Sequence, residues 1–170
     1  MVTVFQKILV PTDGSTGMNR VIQQASGLAD VHDAELHFIY AIHTASFTNL
    51  SMETSWESVG MIVQEDGEAA LSAAERRATV DRIETSLLEG PPSTKIIEYA
   101  DDVGCDLIVM GTHGRGGLNR LLLGSVAERV VRSATIPVMT IRVGGSEHKA
   151  VERSDSKPAA EGPSATEAIE

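Results

Sequence analysis

The chemistry this chain could do begins where an apolar run breaks into glycines. Leu107-Ile108-Val109-Met110 is a four-residue apolar run, as suits a strand covered on both faces of a parallel sheet. Gly111, Gly114, Gly116 and Gly117 follow within seven residues. Gly124-Ser125 then opens a helical pattern in which Val126, Ala127, Val130, Val131 and Ala134 share a face. Strand, glycine loop and helix start make an order that can hold an anion. Glycines let backbone N–H groups approach a phosphate with no Cβ in the way. The first helical turn adds N–H groups without helical partners and the positive end of the helix dipole. The Ser125 hydroxyl can add one more donor.

Two common phosphate loops do not fit. A Walker A loop needs a lysine before its Ser or Thr, and Leu123-Gly124-Ser125 has none. Gly114-Arg115-Gly116-Gly117-Leu118-Asn119 begins like a dinucleotide fingerprint, but Asn119 stands where the last glycine belongs. What remains is Gly111, two residues, Gly114, nine residues, Gly124 and Ser125. On loop chemistry alone, a simple turn of the chain accounts for the glycines as well as a phosphate does. A second candidate lies near the start of the chain. Asp13, in Pro11-Thr12-Asp13-Gly14-Ser15, is either a turn or helix-capping residue or a carboxylate presented to a ligand.

The elements that would position these residues alternate. Phe5 to Val10 reads as the first strand, stopped by the turn at Pro11 to Ser15. Met18, Val21, Ile22, Ala25, Leu28 and Ala29 recur at the helical period, with Ser15 or Thr16 as the expected cap and an end between Asp30 and Asp33. Glu35 to Ile42 is the second strand, parallel to the first because a helix joins them. Residues 43–59 show no period and read as a loop, in which Trp56 either caps the core or serves an interface. Met61 to Thr79 is the second helix, carrying Ala70, Ala73, Ala74 and Ala78. Ile83, Thr85 and Leu87 alternate with polar residues, which predicts a strand half exposed at a sheet edge. A short third helix runs from about Ser93 to Val103. Ile136-Pro137 leads into a fifth strand, Val138 to Val143, with the proline at its start, where no ladder donor is lost.

Composition sets bounds on this reading. A chain of 170 residues predicts one domain, here 1–143, with enough length for a proper core. Residues 144–170 are dominated by Gly, Ser, Pro, Ala, Glu and Lys and read as a disordered polar tail. A formal net charge of −10 argues against nonspecific nucleic-acid binding, which needs a basic face. The one cysteine, Cys105, has no disulfide partner and no metal-ligand cluster, so it reads as an inert residue at the start of a strand. Nothing resembles a signal peptide, and no apolar stretch approaches the roughly 18 residues of a membrane helix. The expected location is the cytoplasm.

Strands alternating with helices predict an α/β fold, a doubly wound parallel sheet with helices on both faces. The spacing Gly111…Gly114…Gly124-Ser125 resembles the nucleotide-binding signature of the universal stress protein family, in its ATP-binding branch. Lys7 to Ser15 is similar to that family's opening strand and acidic turn, and Ile136-Pro137-Val138 to its closing strand. The resemblance covers about Phe5 to Val143 and implies a Rossmann-like sheet of five strands in the order 3-2-1-4-5. Strands one and four are then neighbours whose connections leave in opposite directions, a switch point where ligands bind outside the carboxyl ends of strands. The resemblance further implies ATP as the ligand, with Mg²⁺ as the ion a triphosphate usually brings. Its implied binding set is Pro11, Thr12, Asp13, Ala41, Met110, Gly111, Thr112, Gly114, Arg115, Gly124, Ser125 and Val126. Asp13 belongs at the adenosine end, Ala41 and Met110 along the adenine, and Gly111, Gly114, Gly124 and Ser125 at the phosphates. Arg115 either adds charge there or faces solvent. His113 reads as a loop residue, without an acidic neighbour or a second histidine at ligand spacing.

Three functions compete. The first is an ATP-binding regulatory protein of the stress response, working as a homodimer through strand 138–143, an arrangement the resemblance implies and one that would cover an apolar sheet edge. The second is a slow ATPase or phosphotransferase. No motif supplies a base, an acidic metal-binding pair or an activating lysine, so no catalytic or metal-ligating residue is assigned. The third is a stress or interaction protein that binds no nucleotide, as in the family's other branch, which typically lacks the glycine set present here.

Overall fold

The structure, a computed structural model, describes residues 4–43, 56–113 and 123–143, with residues 56–59 described as backbone only. Five strands and four helices alternate: β1 Lys7–Pro11, α1 Met18–His32, β2 Glu35–Ile42, α2 Trp56–Arg77, β3 Ile83–Glu89, α3 Pro92–Val103, β4 Leu107–Gly111, α4 Ser125–Ser133 and β5 Val138–Ile141. All strand pairs are parallel and the order is β3-β2-β1-β4-β5. This is the doubly wound 3-2-1-4-5 sheet expected from the sequence.

Alternation along the central strands sorts the core into two layers, because successive side chains point to opposite faces. Ile8 and Val10 of β1, Leu36 and Phe38 of β2 and Leu107 and Val109 of β4 pack with α1 and α2. Leu9, Ile39, Ile108 and Met110 pack with Ile96 and Ala100 of α3 and with Ala127 and Val130 of α4. Burial of each large aliphatic here is worth about 1.5–3 kcal/mol, which makes β1 and β4 the rigid centre of the sheet. The edge strand β3 differs: it has no fully buried residue, but half-buried Ile83, Ser86, Leu87 and Leu88 stand among exposed Glu84, Thr85 and Glu89 without the strict alternation its sequence pattern predicts.

Local differences from the sequence reading have physical causes. Helix α2 begins at Trp56 and ends at Arg77, so it takes in part of what reads as loop. The Trp56 side chain, the loop to residue 55 and the tail 144–170 lie outside the described residues. Neither Ser15 nor Thr16 caps α1. Gly17 is the N-cap, without a side-chain hydrogen bond, and the Ser15 and Thr16 carbonyls accept from Met18 and Asn19 N–H at 3.1 and 3.3 Å. Val131 faces outward at 45% exposure, since Ala127 and Val130 already fill the short seam of α4. Strand β5 stops at Ile141 rather than Val143. Beyond it, Val143 crosses close to two glycines: a Cβ at Gly17 would stand 2.9 Å from the Val143 Cβ, and one at Gly111 would stand 3.2 Å from its Cγ2.

Candidate functional site

A cavity of about 590 Å³ opens at the carboxyl ends of β1, β2 and β4, against the N-terminus of α4. That volume is ordinary for a small-molecule site. Its position is the switch point between β1 and β4.

The β1 side is built by a turn that consumes its own polar groups. Thr12 N–H donates to the Ile39 carbonyl at 2.8 Å, holding the end of β1 to β2. Thr12 Oγ1 accepts from Gly14 N–H at 3.2 Å, and Asp13 Oδ1 accepts from Ser15 N–H at 2.9 Å. Gly14 takes φ 72°, the left-handed conformation that glycine adopts without strain. The turn reading of Asp13 is therefore correct for one oxygen. The other, Oδ2, is buried and has no hydrogen-bond partner among the described residues. A buried carboxylate oxygen left in that state is costly.

The β4 side closes a loop. Thr112 N–H donates to the Ile141 carbonyl at 2.9 Å, and the Thr112 carbonyl accepts from Gly124 N–H at 2.7 Å. The chain thus leaves β4 at Thr112 and returns beside it at Gly124. A Cβ on Gly124 would stand 3.2 Å from the Thr112 oxygen. Glycine at 111 and 124 is accordingly favoured by this close packing itself, whatever the cavity holds. Gly124 is extended at the N-cap of α4, and no side chain among the described residues caps that helix. Its first-turn N–H groups are therefore available to an anion. Glu128 in the same turn is drawn aside by Arg132, at 3.2 Å.

The structure brings Pro11, Thr12, Asp13, Ala41, Met110, Gly111, Thr112, Gly124, Ser125 and Val126 to this one cavity. Gly114 and Arg115, the other two residues of the expected set, lie outside the described residues. Met18, Tyr40, His43, Pro92, His113 and Ala127 also line it. Most of these carry no local motif and are recruited by topology alone. The Tyr40 ring is pressed from behind by α2, where a Cβ on Gly67 would stand 3.0 Å from it. His113 carried a signal, as the only titratable side chain among Gly111 to Gly114, but its sequence neighbours supplied no partner. In the fold its Nδ1 lies 3.0 Å from Thr112 Oγ1. Among the described residues, no group of three or more His, Cys, Asp or Glu is arranged to hold a metal ion.

A switch-point cleft in a 3-2-1-4-5 parallel sheet, flanked by an acidic turn and by a glycine-bounded helix N-terminus, defines a Rossmann-like α/β protein. The sequence model of the universal stress protein family matches residues 5–142, and the chain belongs to that family. A universal stress protein of Methanocaldococcus jannaschii is 40% identical over 141 residues, spanning 82% of this chain and 83% of that one. Among solved structures, a universal stress protein in complex with cAMP aligns at TM-score 0.64 and 27% identity, over 83% of this chain and 99% of the other. The universal stress protein UspA of Lactobacillus plantarum aligns at TM-score 0.69 and 25% identity, over 81% and 97%.

Proposed function

We propose that this chain is an ATP-binding regulatory protein of the cytoplasmic stress response, holding the nucleotide at the carboxyl ends of β1 and β4. One observation carries the reading: an acceptor without a partner and an uncapped helix N-terminus flank the same cavity. Among the described residues, Asp13 Oδ2 lacks a donor and the α4 first turn lacks a side-chain cap. A nucleotide satisfies both, with ribose hydroxyls or the adenine amine at Asp13 and phosphate oxygens at α4. Ala41 and Met110 offer an apolar wall between them for the base. The relative solved with cAMP supports an adenine nucleotide as the class of ligand.

Dimerisation belongs to the same proposal. Strand β5 is a sheet edge, and Met139 on it is 37% exposed. Pairing two β5 edges would satisfy their free backbone groups. Light scattering on the eluting protein should give twice the chain mass, and a charged residue at Met139 should return a monomer.

The nucleotide reading is tested by calorimetric titration of ATP, ADP and AMP, with and without Mg²⁺, following product in the same samples for hours. Saturable one-to-one binding of ATP with little product is expected. Rapid turnover would favour the ATPase reading, and no binding by the folded protein would remove the nucleotide. The variant Gly114→Val is expected to fold and to lose ATP binding. Full-strength binding by that variant would refute the phosphate placement.

A further inference from the structure

A second polar cluster lies away from the cavity, on the face of the sheet under α3. His37 of β2 is buried, and its Nδ1 lies 3.0 Å from Tyr99 Oη of α3. That hydroxyl lies 3.3 Å from Ser86 Oγ of β3. On the ring's other side, Nε2 is 3.4 Å from Glu35 Oε2, yet it is buried without a hydrogen-bond partner among the described residues. None of these four residues lines the cavity. We propose that they form a proton switch: uptake of one proton by His37 reverses the hydrogen-bond chain that fastens α3 to β2 and β3, and Glu35 balances the charge.

A hydroxyl both donates and accepts, so a chain of two hydroxyls ending on an imidazole can run either way. With the ring neutral, a bare Nε2 would set its lone pair against the Glu35 carboxylate. The ring proton therefore sits on Nε2, Nδ1 accepts from Tyr99, and Tyr99 accepts from Ser86. A second proton, taken from water, has only Nδ1 to occupy. The ring then donates to Tyr99, Tyr99 turns its own proton to Ser86, and every link is kept. Imidazole is the side chain that changes charge between about pH 5 and 8. A buried cation is costly unless an opposite charge pairs it, and the groups around the ring supply one. Glu84 stands beside His37 in register on β3 and is exposed. On β1, Lys7 is in register with Glu35, but its Nζ donates to the Val103 carbonyl. On α3, Lys95 pairs with Glu98, Asp101 accepts from Thr135, and Asp102 is exposed. Between α3 and β4, burial pushes the Cys105 thiol up to about 11, and Asp106 accepts from Gln6 and Lys7 N–H. The acid set against the ring is thus Glu35.

The test reads the ring and its partner separately on the full chain. ¹⁵N spectra of the imidazole rings are recorded from pH 8 to pH 5.5, and urea unfolding is measured at both ends for wild type, Glu35→Gln, His37→Gln and the double variant. The expected spectra show His37 with a bare Nδ1 and a protonated Nε2 at pH 8, and with both nitrogens protonated at pH 5.5 in a chain that is still folded. In unfolding, E35Q should lose about tenfold more of its folding equilibrium constant at pH 5.5 than at pH 8, and that extra loss should vanish in the H37Q background. A merely structural carboxylate would cost the same at both pH values or keep its extra loss without His37; either result overturns the proposal. A protonated Nδ1 at pH 8 overturns it too, since the chain would already run in the acid direction. So does a ring that stays neutral in the folded protein at pH 5.5, or a wild type that unfolds before that pH. Should a variant not fold, the wild-type spectra decide.

Discussion

The two ends of the central strand pair carry the same residue type in opposite states. At the amino end, Asp106 leads into β4, and its Oδ2 accepts from Gln6 N–H at 2.7 Å and Lys7 N–H at 2.9 Å. Lys7 Nζ in turn donates to the Val103 carbonyl at 3.2 Å. At the carboxyl end, Asp13 uses one oxygen for its own turn and leaves the other buried and unpartnered among the described residues. One carboxylate ties the start of β1 to the start of β4, and the other is held ready at a cavity. The contrast teaches where to look for function in a sheet of this kind. Polar atoms that are satisfied belong to the fold, and an unsatisfied one that also lines a cavity is the candidate contact for what that cavity receives.

The sharpest break of this comparison is Asp106→Ala. It removes an acceptor shared by two backbone donors, and hydrogen bonds to a charged group are worth about 1.5–3 kcal/mol each. Because the site is only part-buried, a loss of about 2–4 kcal/mol in urea unfolding is expected, with nucleotide affinity unchanged in the folded fraction. A variant as stable as wild type would show that the amino-end carboxylate is not a structural tie.

Asp13→Ala should do the reverse. Losing the turn bond to Ser15 is offset by removing a buried unpaired oxygen, so stability should move by no more than about 1 kcal/mol. ATP affinity should fall about tenfold, equivalent to about 1.4 kcal/mol. If calorimetry instead gives wild-type affinity, the orphaned oxygen is a defect tolerated by the turn rather than a ligand contact.

One polar chain on the face under α3 sits between these extremes. His37 is 4% exposed, with Nδ1 3.0 Å from Tyr99 Oη, which lies 3.3 Å from Ser86 Oγ. Its Nε2 is 3.4 Å from Glu35 Oε2 but is not aligned as a hydrogen bond to it. Tyr99→Phe would strip the remaining partner from a buried ring, at about 1–2 kcal/mol of stability. Binding should not change, because neither His37 nor Tyr99 lines the cavity. Altered binding would mean that the two ends of the sheet are coupled through α3.

These contrasts also explain what was legible beforehand. The alternation of strands and helices could be read from local patterns, the strand order and switch point followed from the family resemblance carried by Lys7 to Ser15 and Asp106 to Ser125, and β3 declared its edge position through polar residues interleaved with Ile83, Thr85 and Leu87. The start of α2 could not, since residues 56–60 include a glycine and no clear apolar stripe. The cap of α1 falls at Gly17 instead, because the backbone carbonyls of Ser15 and Thr16, rather than their hydroxyls, accept from Met18 and Asn19 N–H, a choice that composition does not reveal. Asp106 and His113 were passed over for a shared reason. What defines them is a partner, or the lack of one, across the fold: Gln6 and Lys7 lie about a hundred residues from Asp106, and the hydroxyl behind His113 is itself bonded to Val143. The sequence names donors and acceptors, whereas only the fold shows which are left over.

The smallest effect concerns Cys105, which sits beside Asp106 at the satisfied end. It is 4% exposed. Burial pushes its thiol up from 9.0 to about 11; Lys7 pulls it back, and Asp106 and Glu35 add to the rise. A reactive cysteine needs the opposite surroundings, exposed and electropositive. The native protein at pH 8 should therefore resist a thiol reagent that labels it promptly in denaturant. The sign of the linkage follows from a raised folded value: the neutral thiol's contribution is fully present below pH 9 and is lost as pH climbs towards about 11. Stability should accordingly fall more steeply over that window in wild type than in Cys105→Ala, which has no thiol to ionise. Parallel curves would mean that the thiol ionises as easily in the folded state as in the unfolded one. Prompt labelling of the native protein at pH 8 would go further, since it would show the amino end opening on its own and would erase the difference between the two ends.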